Sequence, residues 1–227
     1  MIISAVVMNF LLLLMMISQF NVSSGEVDPA LLKFSHNKQI PKIIQQPVLK
    51  ALSHFPELRN TAIRFVFKKN INGSVMQAQP VLGSILKDRA HRSYQINISA
   101  LFKLKHSAEP IHLLPENIMI GWIGHELGHI MDYEQRSKLS LIGFGFTYLF
   151  SKKYRRLGEL AADTYAVESG LGKYIIETKK FILDHAELPQ AYKDKIAKIY
   201  LSPDEIVEQV RKLEERKVNQ QLKALGH

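Results

Sequence analysis

Residues 124–130 read Gly124-His125-Glu126-Leu127-Gly128-His129-Ile130, and the rest of the chain is read outward from them. A helix carries residues four apart on one face, so His125 and His129 can aim their imidazoles at a common point. Two neutral imidazoles suit Zn²⁺, and Glu126 projects beside them, within reach of a water at the metal. Zinc lowers the pKa of such a water towards about 7, and a carboxylate base completes its activation as a nucleophile. The stretch therefore points to hydrolysis, with His125 and His129 as metal ligands and Glu126 as the catalytic base.

Tetrahedral zinc at a catalytic site needs a third protein ligand and one open position. The segment Glu159-Leu160-Ala161-Ala162-Asp163 supplies it, with two acids four apart on a predicted helix and alanines between them. Small residues there let that helix pack closely against the histidine helix. The plainer reading, two helix histidines beside a surface glutamate, has no use for this second segment. Asp132 is a rival ligand three residues after His129. A continuing helix carries it a turn further along the axis, away from a metal gripped by the histidines, so it is taken as a polar neighbour.

The run His125-Glu126-Leu127-Gly128-His129, followed by Glu159-Leu160-Ala161-Ala162-Asp163-Thr164-Tyr165-Ala166, resembles the gluzincin metallopeptidases. Among them it is most similar to the CAAX prenyl proteases of membranes and their soluble, periplasmic relatives. The second motif of that group, E-x-x-A-D-x-x-A, matches Glu159, Ala162, Asp163 and Ala166. The resemblance covers Ile118 to about Gly170. It implies that Glu159 is the third zinc ligand and that Asp163 accepts a hydrogen bond from a ligand imidazole, that of His125. It also implies a sheet edge beside the motif helix that binds extended peptide by main-chain hydrogen bonds. Tyr94-Gln95-Ile96-Asn97-Ile98-Ser99, which alternates cleanly, is the candidate for that edge, with an ordinary sheet strand as the alternative.

With 227 residues, 46% hydrophobic and 22% charged, the chain can build one full core and is not broadly disordered. It has no cysteine, which excludes disulfides, thiolate–zinc sites and a lipoprotein anchor. The net charge of +9 favours anionic surfaces. The lysines are scattered and no arginine–aromatic platform stands out, so no nucleic-acid partner is expected.

Residues 1–20 lack any charged side chain and contain the run FLLLLMMI from Phe10 to Ile17. This reads as a secretory leader, 1–24, with Val22-Ser23-Ser24 as the cleavage site; an uncleaved anchor is the alternative. Either way the catalytic part, 25–227, is expected outside the cytosol, periplasmic or secreted, and membrane-anchored if the leader stays. Two helices follow, the first opening at Asp28-Pro29 and the second near Pro47, ending at Pro56. Ile63, Phe65 and Phe67 mark a strand, Asn70-Ile71-Asn72-Gly73 a turn, and the stretch from Ser74 to Gln79 its returning partner. Pro115 opens the motif helix.

Leu139 and Phe150 bound an apolar stretch, LSLIGFGFTYLF, with Lys138 before it and Lys152, Lys153, Arg155 and Arg156 after it. It is too short to span a bilayer. It reads either as a buried hairpin or cavity wall, or as an apolar lip touching a membrane surface through flanking cations. Gly170 and Gly172 close the second motif helix. Amphipathic helices follow from Lys173 and Pro189, and Ser202-Pro203-Asp204-Glu205 caps a last one through about Leu222.

The expected fold is α+β: one mainly helical, zincin-like domain with a small sheet beside the motif helix. The expected activity is that of a zinc-dependent metalloendopeptidase acting on protein or peptide. A further donor to the transition-state oxyanion is sought among Tyr165, Tyr154 and His185, which the sequence does not separate. The alternative is an envelope-binding or scaffold protein with structural zinc, and Glu126 argues against it because a structural site needs no base.

Overall fold

The computed structural model describes residues 27–69, 71, 74–185 and 187–224. The predicted leader and most of the predicted turn at Asn70 to Gly73 lie outside the described residues. In chain order come a 3₁₀ turn, Pro29–Phe34, then β1 (Lys38–Gln39), α1 (Gln45–Leu52), β2 (Ala62–Lys68), β3 (Met76–Pro80) and the short α2 (Leu82–Ile85). Next are β4 (Ser93–Ser99), β5 (Leu101–Lys103) and β6 (Ala108–Pro110). The helical part follows as α3 (Glu116–Gln135), α4 (Lys138–Phe150), α5 (Lys152–Ala166), α6 (Gly172–Asp184), α7 (Gln190–Ile199) and α8 (Pro203–Ala224). The fold is α+β and mainly helical, with a four-stranded mixed sheet and a separate two-stranded one.

Helix α3 is the core. Every residue from Ile118 to Tyr133 is buried, including His125, Glu126, His129 and Asp132. A helix apolar on most of its circumference must be covered on all sides, and α1, α5, α6 and β3 pack against it. Pro115 precedes its first turn and Glu116 lies within that turn, as the sequence predicts. Its far end is closed by Arg92, a buried residue whose guanidinium donates to the carbonyls of Tyr133 (3.2 Å) and Arg136 (2.9 Å). A cation at a helix C-terminus satisfies unpaired carbonyls and complements the helix dipole.

The two motif helices approach each other closely at Gly128. A Cβ added at Gly128 would lie 2.2 Å from the backbone carbonyl oxygen of Ala162, so only glycine lets α5 come this near α3. Beyond α5 one π-helical turn, Val167–Leu171, is kinked at Gly170, whose φ of 87° is open to glycine without the Cβ penalty, and the redirected α6 packs on α3.

The sheet corrects two sequence expectations. Its order is β1-β2-β4-β3, with β2 parallel to β4 and β3 antiparallel to it. The stretch beginning at Ser74 therefore does not return beside Ile63, Phe65 and Phe67; β4 lies between them. Tyr94, Ile96 and Ile98 of β4 are fully buried, and a strand this apolar belongs in the centre, paired on both sides. Residues 94–99 consequently cannot serve as a peptide-binding edge. The sheet edge next to β4 is β3, which exposes Gln77 and Gln79 and ends in Pro80, a residue without an N–H to donate.

The N-terminal helices also differ in detail. Asp28 accepts a hydrogen bond from the Ala30 amide as predicted, but the turn it caps is 3₁₀. Helix α1 begins two residues before Pro47, which sits in its first turn where a missing N–H costs nothing, and ends at Leu52 rather than Pro56. The capping box of α8 is present, with the Ser202 amide donating to Glu205 and the Glu205 amide to the Ser202 hydroxyl. Among the described residues no helix is long and apolar enough to cross a membrane.

Gly128→Ala should lose about 1–3 kcal/mol in chemical denaturation, because its methyl group meets backbone that cannot move aside. Gly143→Ala, in α4 where nothing lies within 4 Å of the added carbon, should instead gain about 0.5–1 kcal/mol from helix propensity. Equal effects at the two positions would show that helix proximity does not set the cost.

Candidate metal centre

Helix α3 presents His125 and His129 one turn apart, with ring centroids 4.8 Å apart and ring planes nearly perpendicular. Helix α5 brings Glu159 against both. Its Oε2 lies 3.0 Å from His125 Nε2 and 3.3 Å from His129 Nε2. All three residues are buried, each offers one ligand atom, and these atoms lie within 4.8 Å of one another. This His-His-Glu group can hold a metal ion. It is the one such group among the described residues.

The surrounding groups fix its orientation. Asp163, four residues and one turn beyond Glu159, places Oδ1 2.9 Å from His125 Nδ1. A ring whose Nδ1 is held by a carboxylate turns Nε2 towards the metal position. The other Asp163 oxygen receives Lys179 Nζ of α6 at 2.8 Å. Glu159 Oε1 accepts from the Tyr148 hydroxyl of α4. The ring of Tyr200 covers the site, 5.4 Å from that of His125, with the Lys179 ammonium 4.8 Å from its centre.

The electrostatics follow from burial. Burial opposes ionisation of Glu159, but His129 and His125 hold its carboxyl well below the usual range. Asp163 is likewise held low against burial, by Lys179 and His125. Burial disfavours a charged His125, yet Asp163 and Glu159 together push its pKa up to about 10. Burial raises Glu126 against the pull of both histidines. Three buried carboxyl groups, of Glu126, Glu159 and Asp163, thus face the Lys179 ammonium and the His125 imidazole. A cation held between the imidazoles would replace the proton on His125 as the partner of these acids.

Glu126 is beside the His-His-Glu group and not part of it. Its Oε2 accepts from the Ala78 amide of β3 at 2.5 Å, which ties it to the sheet edge. A cavity of about 690 Å³ opens at this point. Its floor is Glu126, His129 and Glu159; Ala78 and Pro80 stand on one side, and Leu141, Phe144 and Phe146 of α4 on the other.

Helical period explains where the remaining candidates fall. Tyr165 lies two residues past Asp163, on the flank of α5 within reach of Asp132 and Arg136, and is not among the residues lining the cavities beside the group. Tyr154 is exposed. His185 packs edge-to-face with Phe102 and Phe181, centroids 6.1 and 5.1 Å away. Asp132 is held by Arg136 through two hydrogen bonds, of 3.0 and 3.1 Å, and takes no part in the group. The hydroxyl-bearing rings around the site are instead Tyr133, Tyr148, Tyr192 and Tyr200.

Lys179, Tyr148 and the Ala78 amide were not singled out by sequence reasoning. Two of them left a trace. Ile175, Lys179 and Ile182 form one helical stripe, and a lysine on an otherwise apolar stripe needs a buried partner. Tyr148 continues the stripe of Leu141 and Phe144. The amide left none, because strand order was needed to place it.

Comparison with protein families, with curated proteins and with solved structures finds no match to this chain. The reading of the site rests on its own residues.

Asp163→Asn keeps the shape of the side chain and removes the charge that orients His125. Metal affinity, measured by competition with a chromophoric chelator, should fall about 10–100-fold while the fold is retained. Undiminished affinity would mean that Asp163 serves Lys179 alone.

Proposed function

We propose that the chain is a zinc-dependent metalloendopeptidase of the gluzincin kind, acting outside the cytosol on extended segments of protein. The observation that carries this reading is the position of Glu126. Its carboxylate lies at the floor of an open cavity, against the metal group yet outside it, which is the place of a general base. A binding or scaffold protein has no need of a buried acid there.

Zinc suits the donor set. Two imidazole nitrogens and one carboxylate oxygen match its preferences, and ligand bonds of about 2.0–2.1 Å give a tetrahedral edge of about 3.3 Å. The separations of 3.0 and 3.3 Å from Glu159 to the two histidines accord with that edge. When bound by His125, His129 and Glu159, zinc supplies Lewis acidity to a scissile carbonyl and to a water molecule.

The chain's own residues do the rest. Glu126 takes the proton of the attacking water and returns it to the leaving amine. The Ala78 amide fixes one of its oxygens, and burial raises its pKa towards the working range of a base. Tyr200 and Tyr192 line the cavity behind His125 and Glu126, and burial keeps both phenols protonated as donors to a developing oxyanion. Residue by residue, they take the part expected of Tyr165. β3 offers the substrate a strand edge, and Leu141, Phe144 and Phe146 favour a large apolar side chain beside the bond to be cut.

The purified protein should contain about one zinc per chain, and Glu159→Ala should lose it. Glu126→Gln should keep both zinc and melting temperature while turnover of unfolded protein substrates falls at least about a hundredfold. Cleavage at the parental rate by Glu126→Gln sinks the mechanism. Tight zinc in both forms with no cleavage in a broad peptide screen favours the scaffold reading.

A further inference from the structure

The apolar stretch between the motif helices is a single helix, α4, rather than a hairpin, and its two faces differ. Leu141 and Phe144 turn inward, while Leu139, Ile142, Phe146 and Phe150 are 49–82% exposed. Helix α2 packs beside α4 and adds Leu82 and Leu86, which are 83% and 71% exposed. Leu82, Ile142 and Phe146 also line the 690 Å³ cavity, so these exposed side chains ring its mouth.

The charges around this surface have one dominant sign. From Gln135 through Gly158 the chain carries six cations, Arg136, Lys138, Lys152, Lys153, Arg155 and Arg156, and no acid. Lys152, Lys153 and Arg156 are exposed just past the end of α4, and Lys138 at its start is paired with Asp88 at 3.1 Å. A second copy seated on this face would bring its own cations against these. A surface that is apolar at the centre and cationic past its end, where Lys152, Lys153 and Arg156 are exposed, suits an anionic bilayer interface. There Phe and Leu enter the acyl boundary and Lys and Arg reach the headgroups.

We propose that the outer face of α4, extended by Leu82 and Leu86, docks this protein on anionic lipid membranes, with α4 lying along the interface and the cavity mouth facing it. Docking of this kind does not depend on peptidase activity and is tested without it.

The chain has no cysteine, so one introduced by Phe150→Cys carries an environment-sensitive dye at a single place in the full chain. Val218→Cys, exposed on α8, gives the control position. With vesicles of phosphatidylcholine and phosphatidylglycerol, the dye at position 150 should shift to the blue and that at 218 should not. Pure phosphatidylcholine should give little shift, and Lys152→Glu with Lys153→Glu should weaken binding at least about tenfold. Adding Phe146→Glu should abolish the shift; all these side chains are exposed, so each variant should melt like its parent. The proposal is overturned if the dye at 150 stays in water, whether or not the protein sediments with vesicles. It is also overturned by an equal shift with neutral vesicles, or by a shift that appears on concentrating the protein without lipid, which would assign the face to a second copy.

Discussion

Buried charge is the constraint on which the rest of this structure depends. Removing a carboxylate from water costs several kcal/mol even after the protein relaxes, and the cost is met only if each charge finds close partners. Glu159, Asp163 and Glu126 lie inside the core, and each is held from a different element. Glu159 meets the imidazoles of α3 and the Tyr148 hydroxyl of α4. Asp163 meets His125 and the ammonium of Lys179 on α6. Glu126 meets a backbone amide of the sheet. These polar contacts tie α5 and β3 to α3 directly and α4 and α6 to it through α5, and a shift in any of them exposes an unpaired charge.

Close packing makes those contacts possible. The three-ångström separations within the metal group need two helix axes nearer than ordinary side chains allow, and Gly128 against Ala162 provides that approach. The same short alanine segment that lies between Glu159 and Asp163 is thus both spacer and contact surface. Chemistry and packing share one five-residue stretch, Glu159 to Asp163, so the motif could not be moved to a helix with larger residues between its acids.

Much of this was legible in the sequence because it is local. Spacings of four on a helix place His125, His129, Glu159 and Asp163 without knowledge of the fold, and caps such as Asp28 and Ser202 are decided within a few residues. What failed depended on distant partners. The pairing of β3 with β4 rather than β2 follows from which strand most needs burial on both faces, and alternation alone does not rank strands. The phenols of Tyr192 and Tyr200, which line the cavities beside the group, arrive from after α6, far in sequence from both motifs. Lys179 stood on an apolar stripe and was readable, but only once a buried lysine is treated as a question about its partner.

The bond between the Ala78 amide and Glu126 has a consequence for selectivity. The outward-facing groups at the middle of β3 already have partners, since the Tyr133 hydroxyl also approaches the Ala78 carbonyl at 3.4 Å. A peptide laid along this edge exchanges existing hydrogen bonds for new ones, and such exchanges contribute little net free energy. On the peptidase reading, main-chain pairing then sets the register of a bound segment and not its affinity. Discrimination between sequences falls to the side chain that enters the apolar wall of α4, so a peptide without a bulky apolar residue is held in register only fleetingly.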